Sequence, residues 1–285
     1  MPLKQMAVAS QLPGAPALPL GNFIPVDVDA GQIQIRNIEG LGPVKAELAT
    51  APFALARGVF FQGSSVGQRN IVLTLGLNPT VDQSLAALRA LTYRYFMPEL
   101  VVTLTFSSDE REDVHIDCVV ESVEPNIFSQ DPEMQISLIC PRPDFIGNTE
   151  NTIGPWDTMC GGSGTTEIEY TGSVSNGFEL DVTDEFSYYN GDIEVVNDNG
   201  PFHFDLKVNA LTISPHQSFK LKTVPTNRRV QYINVDTGLV SSIMGKMWKG
   251  SSWPELMPGT NELSIFSDYT GPQWTLTYYN RYGGL

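Results

Sequence analysis

At 285 residues, with 41% hydrophobic and 17% charged side chains, the chain is long enough for one large or two ordinary domains, each with its own core. A formal net charge of -15 argues against a phosphate-binding surface, because affinity for nucleic acid rests on lysine and arginine displacing counterions. No uninterrupted apolar run reaches about 18 residues, which excludes a membrane-inserted helix.

Residues 1–22 are rich in proline and alanine without periodicity. Pro13, Pro16 and Pro19 break the apolar run, so the stretch reads as an arm that orders against a partner and not as a secretory signal. Gln32 to Ile35 alternates as a strand, and Gly40 with Gly42 marks a turn. Residues 49–68 lack a period and set Phe53, Phe60 and Phe61 among Gly58, Gly63 and Gly67. Two readings fit: a hairpin arm whose aromatics find cover elsewhere, as candidate oligomer contacts, or a loop folded back on its own domain.

Ile71, Leu73, Leu75 and Leu77 alternate as a strand. Thr80 to Met97 then carries Leu85, Leu88, Leu91 and Tyr95 on one helical face. Thr80 with Gln83 is the expected capping box and Pro98 the stop. Val102, Leu104 and Phe106 form the next strand. The acidic tip Asp109, Glu110, Arg111, Glu112, Asp113 leads into Val114, Ile116, Cys118 and Val120, and Met134 to Cys140 closes the set. Strands with one apolar face and one helix to cover it predict an α+β unit, a β-barrel or curled sheet. Pro141 and Pro143 cannot continue a ladder, which ends this domain, 23–145, close to Asp144.

The second domain, 146–285, begins with a stretch to Gly164 that is low in apolar residues and ends in glycines expected to be flexible. From Thr165 short alternating runs follow, with Asn176-Gly177, Asn190-Gly191 and Asn199-Gly200 as expected hairpin turns. Roughly eight strands without a helix predict an all-β sandwich, so the chain as a whole is mainly β. Between Pro143 and Leu206 there are thirteen acidic residues and no lysine or arginine; between Lys207 and Lys249 there are seven basic residues against Asp236 alone. These halves pair on neighbouring strands, the favoured reading, or meet across subunits.

No catalytic, cofactor-binding or metal-binding residue is assigned, and the chain does not read as an enzyme. Cys118, Cys140 and Cys160 form no CxxC; the first two fall on apolar strand faces as small buried hydrophobes, in a chain folded under reducing conditions. His115, His203 and His216 belong to no metal-ligand pattern. The acidic run Asp181, Asp184, Glu185, Asp192, Glu194, Asp198 lacks calcium-loop spacing. Trp274 alternates with Leu276 and Tyr278, as a core residue does.

Three stretches together carry a family likeness: Asn37 to Glu47; Gly67 to Ile71 with the helix and Tyr95-Phe96-Met97-Pro98; and Trp253 to Glu262 with Tyr279 to Leu285. In them the chain resembles the distal tail proteins of siphovirus-type bacteriophages. The resemblance implies an N-terminal domain that closes into a ring of six, a belt-like hairpin arm at 49–68, and a galectin-like β-sandwich behind it. It implies a structural virion protein of the distal tail, assembled in the host cytoplasm, that joins the tail tube protein to the tip hub protein. Docking of receptor-binding proteins and contact with the tape measure protein go with that expectation. DNA would pass through the ring without specific binding, with Asp109, Glu110, Glu112 and Asp113 as candidate lumen-facing acids. The alternative is a carbohydrate-binding module that adsorbs to host glycans; a glycan hydrolase comes last, for want of a selected acid pair.

Overall fold

The computed structural model describes residues 5–11, 24–25, 33–54, 57–81, 84–126, 132–157, 159–160, 166–183, 189–200, 202–213, 217–268 and 273–285. Gln83, Asp184, Glu185, His216, residues 161–164 and most of the proline-rich leader lie outside the described residues, as does the side chain of Cys160. The chain divides into two compact units, Met1–Asn148 with Tyr282–Leu285, and Thr149–Arg281.

The first unit contains β1 (Gln5–Gln11), β2 (Ile24–Pro25), β3 (Ile33–Glu39), β4 (Ala46–Pro52), β5 (Val59–Val66), β6 (Arg69–Leu77), α1 (Leu85–Tyr95), β7 (Val101–Ser107), β8 (Val114–Pro125), β9 (Glu133–Cys140) and the start of β10 (Phe145–Asp157). Its main sheet runs β3-β6-β9-β8-β7-β1-β2, each pair antiparallel. The alternation read from sequence sets the core: Ile71, Leu73, Leu75, Val102, Leu104, Phe106, Ile116, Met134, Ile136 and Leu138 are all buried. Period-2 spacing puts these side chains on one face of the pleat, so a one-residue slip would expose every one of them.

Two expectations are corrected in this unit. Gln5–Gln11 is a strand and not part of a leader: it pairs along all of β7, from Gln5 opposite Ser107 to Gln11 opposite Val101. Met6 and Val8 enter the core, an alternation blurred in the sequence by the small Ala7 and Ala9 beside them. The helix is also shorter than predicted. Ser84, in extended conformation, is the N-cap and accepts from the Ala87 N–H at 3.3 Å, so the cap is not Thr80. α1 ends with Phe96, short of Pro98, and buries Leu88 and Thr92, with Leu85, Leu91 and Tyr95 packed at the margin of the core.

The second unit takes the remainder of β10, then β11 (Met159–Cys160), β12 (Thr166–Tyr170), β13 (Glu179–Thr183), β14 (Tyr189–Asn199), β15 (Phe202–Ile213), β16 (Gln217–Lys222), β17 (Arg229–Asn234), β18 (Val240–Ser242), β19 (Gly259–Ser267) and β20 (Gln273–Tyr282). One sheet runs β18-β17-β16-β13-β20-β10; the other runs β11-β19-β14-β15, with β12 also on β19. Leu180, Phe219, Leu221, Val230, Trp274 and Leu276 of the first sheet share one core with Ile168, Ile193, Val195, Leu206, Val208 and Ile265 of the second. Two sheets covering each other's apolar faces are the sandwich that the absence of helix periodicity predicts.

Only one of the three Asn-Gly dipeptides turns a hairpin: Asn199-Gly200 joins β14 to β15. Asn190-Gly191 lies inside β14, where the register shifts between Gly191 and Ile193, so that glycine marks a bulge. Gly177 sits where a Cβ would fall 2.3 Å from the Val224 backbone nitrogen, so it permits close passage of two chain segments. Most of the stretch after Asp144, read from sequence only as low in apolar residues, is the long strand β10, whose few apolar residues do not alternate.

The outer edge of β15 is covered between Asp205 and Val208. Ser252 and Ser251 hydroxyls accept from the Asp205 and Lys207 N–H groups, both at 2.9 Å, and Trp248 and Ser252 N–H donate to the Lys207 and Asp205 carbonyls at 2.9 and 2.8 Å.

Candidate functional site

β4 and β5 form a two-stranded sheet of their own, paired from Ala46 opposite Val66 to Pro52 opposite Val59, with a bulge between Ala49 and Thr50. None of its residues is buried. Leu48, Phe53, Val59, Phe60 and Phe61 are 63%, 48%, 56%, 58% and 56% exposed. Adjacent strand residues point to opposite faces, so Phe60 and Phe61 give each side of the ribbon an aromatic ring. An isolated two-stranded hairpin is marginal in water, and an apolar one lowers its free energy by finding cover.

The base of this arm is held by Arg69. Its Nε donates to the Pro143 carbonyl at 2.5 Å, Nη1 to Gly40 and Gly42 at 2.5 and 2.6 Å, and Nη2 to Gly283 at 2.7 Å. The Phe145 ring lies 4.6 Å from the guanidinium carbon. A planar fork of donors can satisfy four carbonyls at once, which an ammonium on a flexible stem cannot do. Burial lowers the Arg69 pKa, and Cys140 and Asp144 oppose that shift. Gly40 and Gly42 precede β4 and Arg69 follows β5, so the clamp fixes both stems of the hairpin. In the sequence Arg69 stands out only as part of the Gly67 to Ile71 stretch. A single arginine entering an apolar run beside Gly67 is the one trace it leaves.

The three stretches that carry the family likeness meet partly at this clamp. Leu285 N–H donates to the Leu41 carbonyl at 2.9 Å, and Gly284 packs against Pro43. In the second unit, buried Asn261 accepts from the Met257 N–H and donates to the Met257 and Gly259 carbonyls, which holds the turn around Pro258. These motifs are therefore structural joints.

The acidic tip lies between β7 and β8. Glu112 is half-buried and accepts from the Tyr282 hydroxyl at 2.9 Å, while Arg111 lies 5.5 Å from the Tyr282 ring. Glu112 is thus a structural partner, and Asp109, Glu110 and Asp113 are the exposed acids of the tip.

The opposed charges of the second unit pair within it. Lys220 reaches Asp181 at 2.9 Å and Glu179 at 3.7 Å, Lys222 reaches Glu179 at 2.8 Å, and Lys207 reaches Asp192 at 3.3 Å. Shallow grooves of about 280 and 430 Å³ on the outer face of this sheet are lined by Glu179, Asp181, Lys220 and Lys222 with Thr275, Thr277, Arg229, Gln231, Ile233 and Val240. No aromatic ring stands among those lining residues. Trp274 is buried and stacks on Trp156. Among the described residues no three His, Cys, Asp or Glu side chains converge as metal ligands, and no helix is long and apolar enough to cross a membrane.

No protein-family description matches the chain, and neither does any curated protein sequence. Among solved structures it is similar to the SPP1 Dit (gp 19.1) protein, described as a paradigm of hub adsorption apparatus in Gram-positive infecting phages, with a TM-score of 0.64 at 16% identity over 88% of this chain and 93% of that one. A chain of the phage P2 baseplate in its activated, calcium-containing conformation aligns over 96% of this chain and 97% of its own, at a TM-score of 0.48 and 10% identity. The mainly β fold of this chain is the fold of the SPP1 Dit protein.

Proposed function

We propose that this chain is a structural component of a phage tail tip that closes into a ring, most simply of six copies, through its first unit. The observation that carries the reading is the β4–β5 hairpin, rigidly based at Arg69 and exposing Phe60 and Phe61 on opposite faces. A ribbon with apolar residues on both sides fits between two surfaces, as when an arm reaches across a neighbouring copy. Such a contact joins two different patches, so rotation can repeat it until a ring closes. The fold shared with the SPP1 Dit protein supports this assembly, with a tail tube protein on one side and a tip hub protein on the other.

The sandwich then serves as an outer scaffold for peripheral proteins such as receptor-binding proteins, and the assembly belongs to the distal end of the virion. Asp109, Glu110 and Asp113 are candidates for the lumen, where like charge lets DNA pass without adhering; such repulsion is screened beyond ~8 Å at physiological salt. The lack of an aromatic ring among the described lining residues of the two grooves favours a scaffold over a glycan-binding module, since ligand sites are lined predominantly by apolar and aromatic side chains.

Sedimentation velocity and negative-stain imaging of the full chain test the ring. The expected result is a closed ring at micromolar concentration that a Phe60→Ser, Phe61→Ser double substitution converts to folded monomer. A wild-type chain that remains monomeric at tens of micromolar overturns the proposal.

A further inference from the structure

Cys118 and Cys140 face each other across β8 and β9. Val119 pairs with Ile139, so one step back on β8 meets one step forward on β9. Val120 directs its N–H to the Leu100 carbonyl and its carbonyl to the Glu99 N–H, on the β7 side. Backbone groups alternate sides along a strand, so those of Cys118 also point to β7, where it pairs with Val102. Opposite Cys140 it therefore occupies a non-hydrogen-bonded position. In that class of pair the Cα atoms lie about 4.5 Å apart, inside the range of about 4.4–6.8 Å that a disulfide bridges. The two sulfurs are 2.7 Å apart, both thiols are free, and both side chains are buried.

We propose that Cys118 and Cys140 are a modification site: an intrachain dithiol that exchange with a small disulfide converts to a cross-strand disulfide. In the first step one thiolate attacks the small disulfide, forming a mixed disulfide and releasing one thiol. In the second step the other cysteine attacks the protein sulfur, closing the bond and releasing a second thiol. The protein loses two protons and two electrons, and the small disulfide gains both as it becomes two thiols. The hydrogen bond to Cys140 and burial raise the Cys118 pKa, so the closed pair is unreactive and exchange proceeds during folding or through opening of the strand pair. Cys140 also lies opposite Arg69 in the β6–β9 ladder, so the bond would brace the strands beside the clamp.

The test uses the full chain, as wild type and as Cys160→Ser. Each is unfolded, refolded with reduced and oxidised glutathione or with reductant alone, acid-quenched, alkylated in denaturant and mapped by peptide mass. The expected result is a Cys118–Cys140 linkage in most oxidised molecules, a chain lighter by two hydrogens, and a first-unit melting temperature several degrees higher that reductant reverses. The double variant Cys118→Ala, Cys140→Ala should lose the redox-dependent shift. Refolding in oxidising buffer to the native structure with both thiols free, capped by glutathione or joined to Cys160 overturns the proposal.

Discussion

The Arg69 guanidinium donates to the Gly283 carbonyl at 2.7 Å, joining residues 214 positions apart in sequence. The same side chain holds Gly40 and Gly42, so strand, turn and distant segment share one set of donors. Replacing Arg69 by alanine leaves four carbonyls without their partner. Each buried unsatisfied polar group costs about 1–3 kcal/mol, so with partial access of water the loss should be about 3–5 kcal/mol. Calorimetry should show the first-unit transition falling by roughly 10 °C while that of the second unit stays in place. Arg69→Lys should recover only part of the loss.

A smaller effect is expected at the helix start. Ser84→Ala removes the oxygen that accepts from Ala87 N–H and should cost about 1 kcal/mol. The corresponding fall in first-unit melting temperature is about 2–4 °C.

Acid should weaken the second unit through Glu179. Burial pushes its carboxyl up, but the Lys222 hydrogen bond and the Lys222 and Lys220 charges more than offset this, and the net pKa is below the ordinary 4.5. A depressed folded-state pKa contributes stability above the unfolded value, and that contribution disappears as pH falls through the folded value. Melting curves below pH 4.5 should therefore show a steeper loss for wild type than for Glu179→Gln. Equal slopes would show that the ion pairs are screened to insignificance.

His203 moves the other way. Its hydrogen bond to Asp198, together with that carboxylate's charge, raises its pKa above 6.5. A raised folded-state value stabilises the protonated form below the unfolded pKa, and that contribution is lost as pH rises through the folded one. An NMR titration of the His203 ring should give a midpoint above 6.5 that returns towards it in Asp198→Asn.

What the sequence disclosed tracks where burial is one-sided. Ile71 to Leu77 and Met134 to Cys140 were legible because period-2 alternation directly encodes a face. Gln5–Gln11 was not, since alanines flank Met6 and Val8 and blur the contrast. β10 was not legible because Phe145, Ile146, Ile153 and Trp156 stand too irregularly along it to alternate, and its ladder depends on neighbours that are far away in sequence. Phe53, Phe60 and Phe61 stood out as aromatics without a period, and whether they project or fold back depended on Arg69. No local pattern announces that one arginine will collect carbonyls from four separated positions.

The serine-lined rim of β15 has a consequence for how copies of this chain can meet. Between Asp205 and Val208 the backbone donors and acceptors are already engaged by Ser251, Ser252 and Trp248. An incoming strand would have to displace that segment before it could lengthen the sheet. Along those four residues a contact with a neighbouring molecule is therefore confined to side chains as long as the serine segment stays in place.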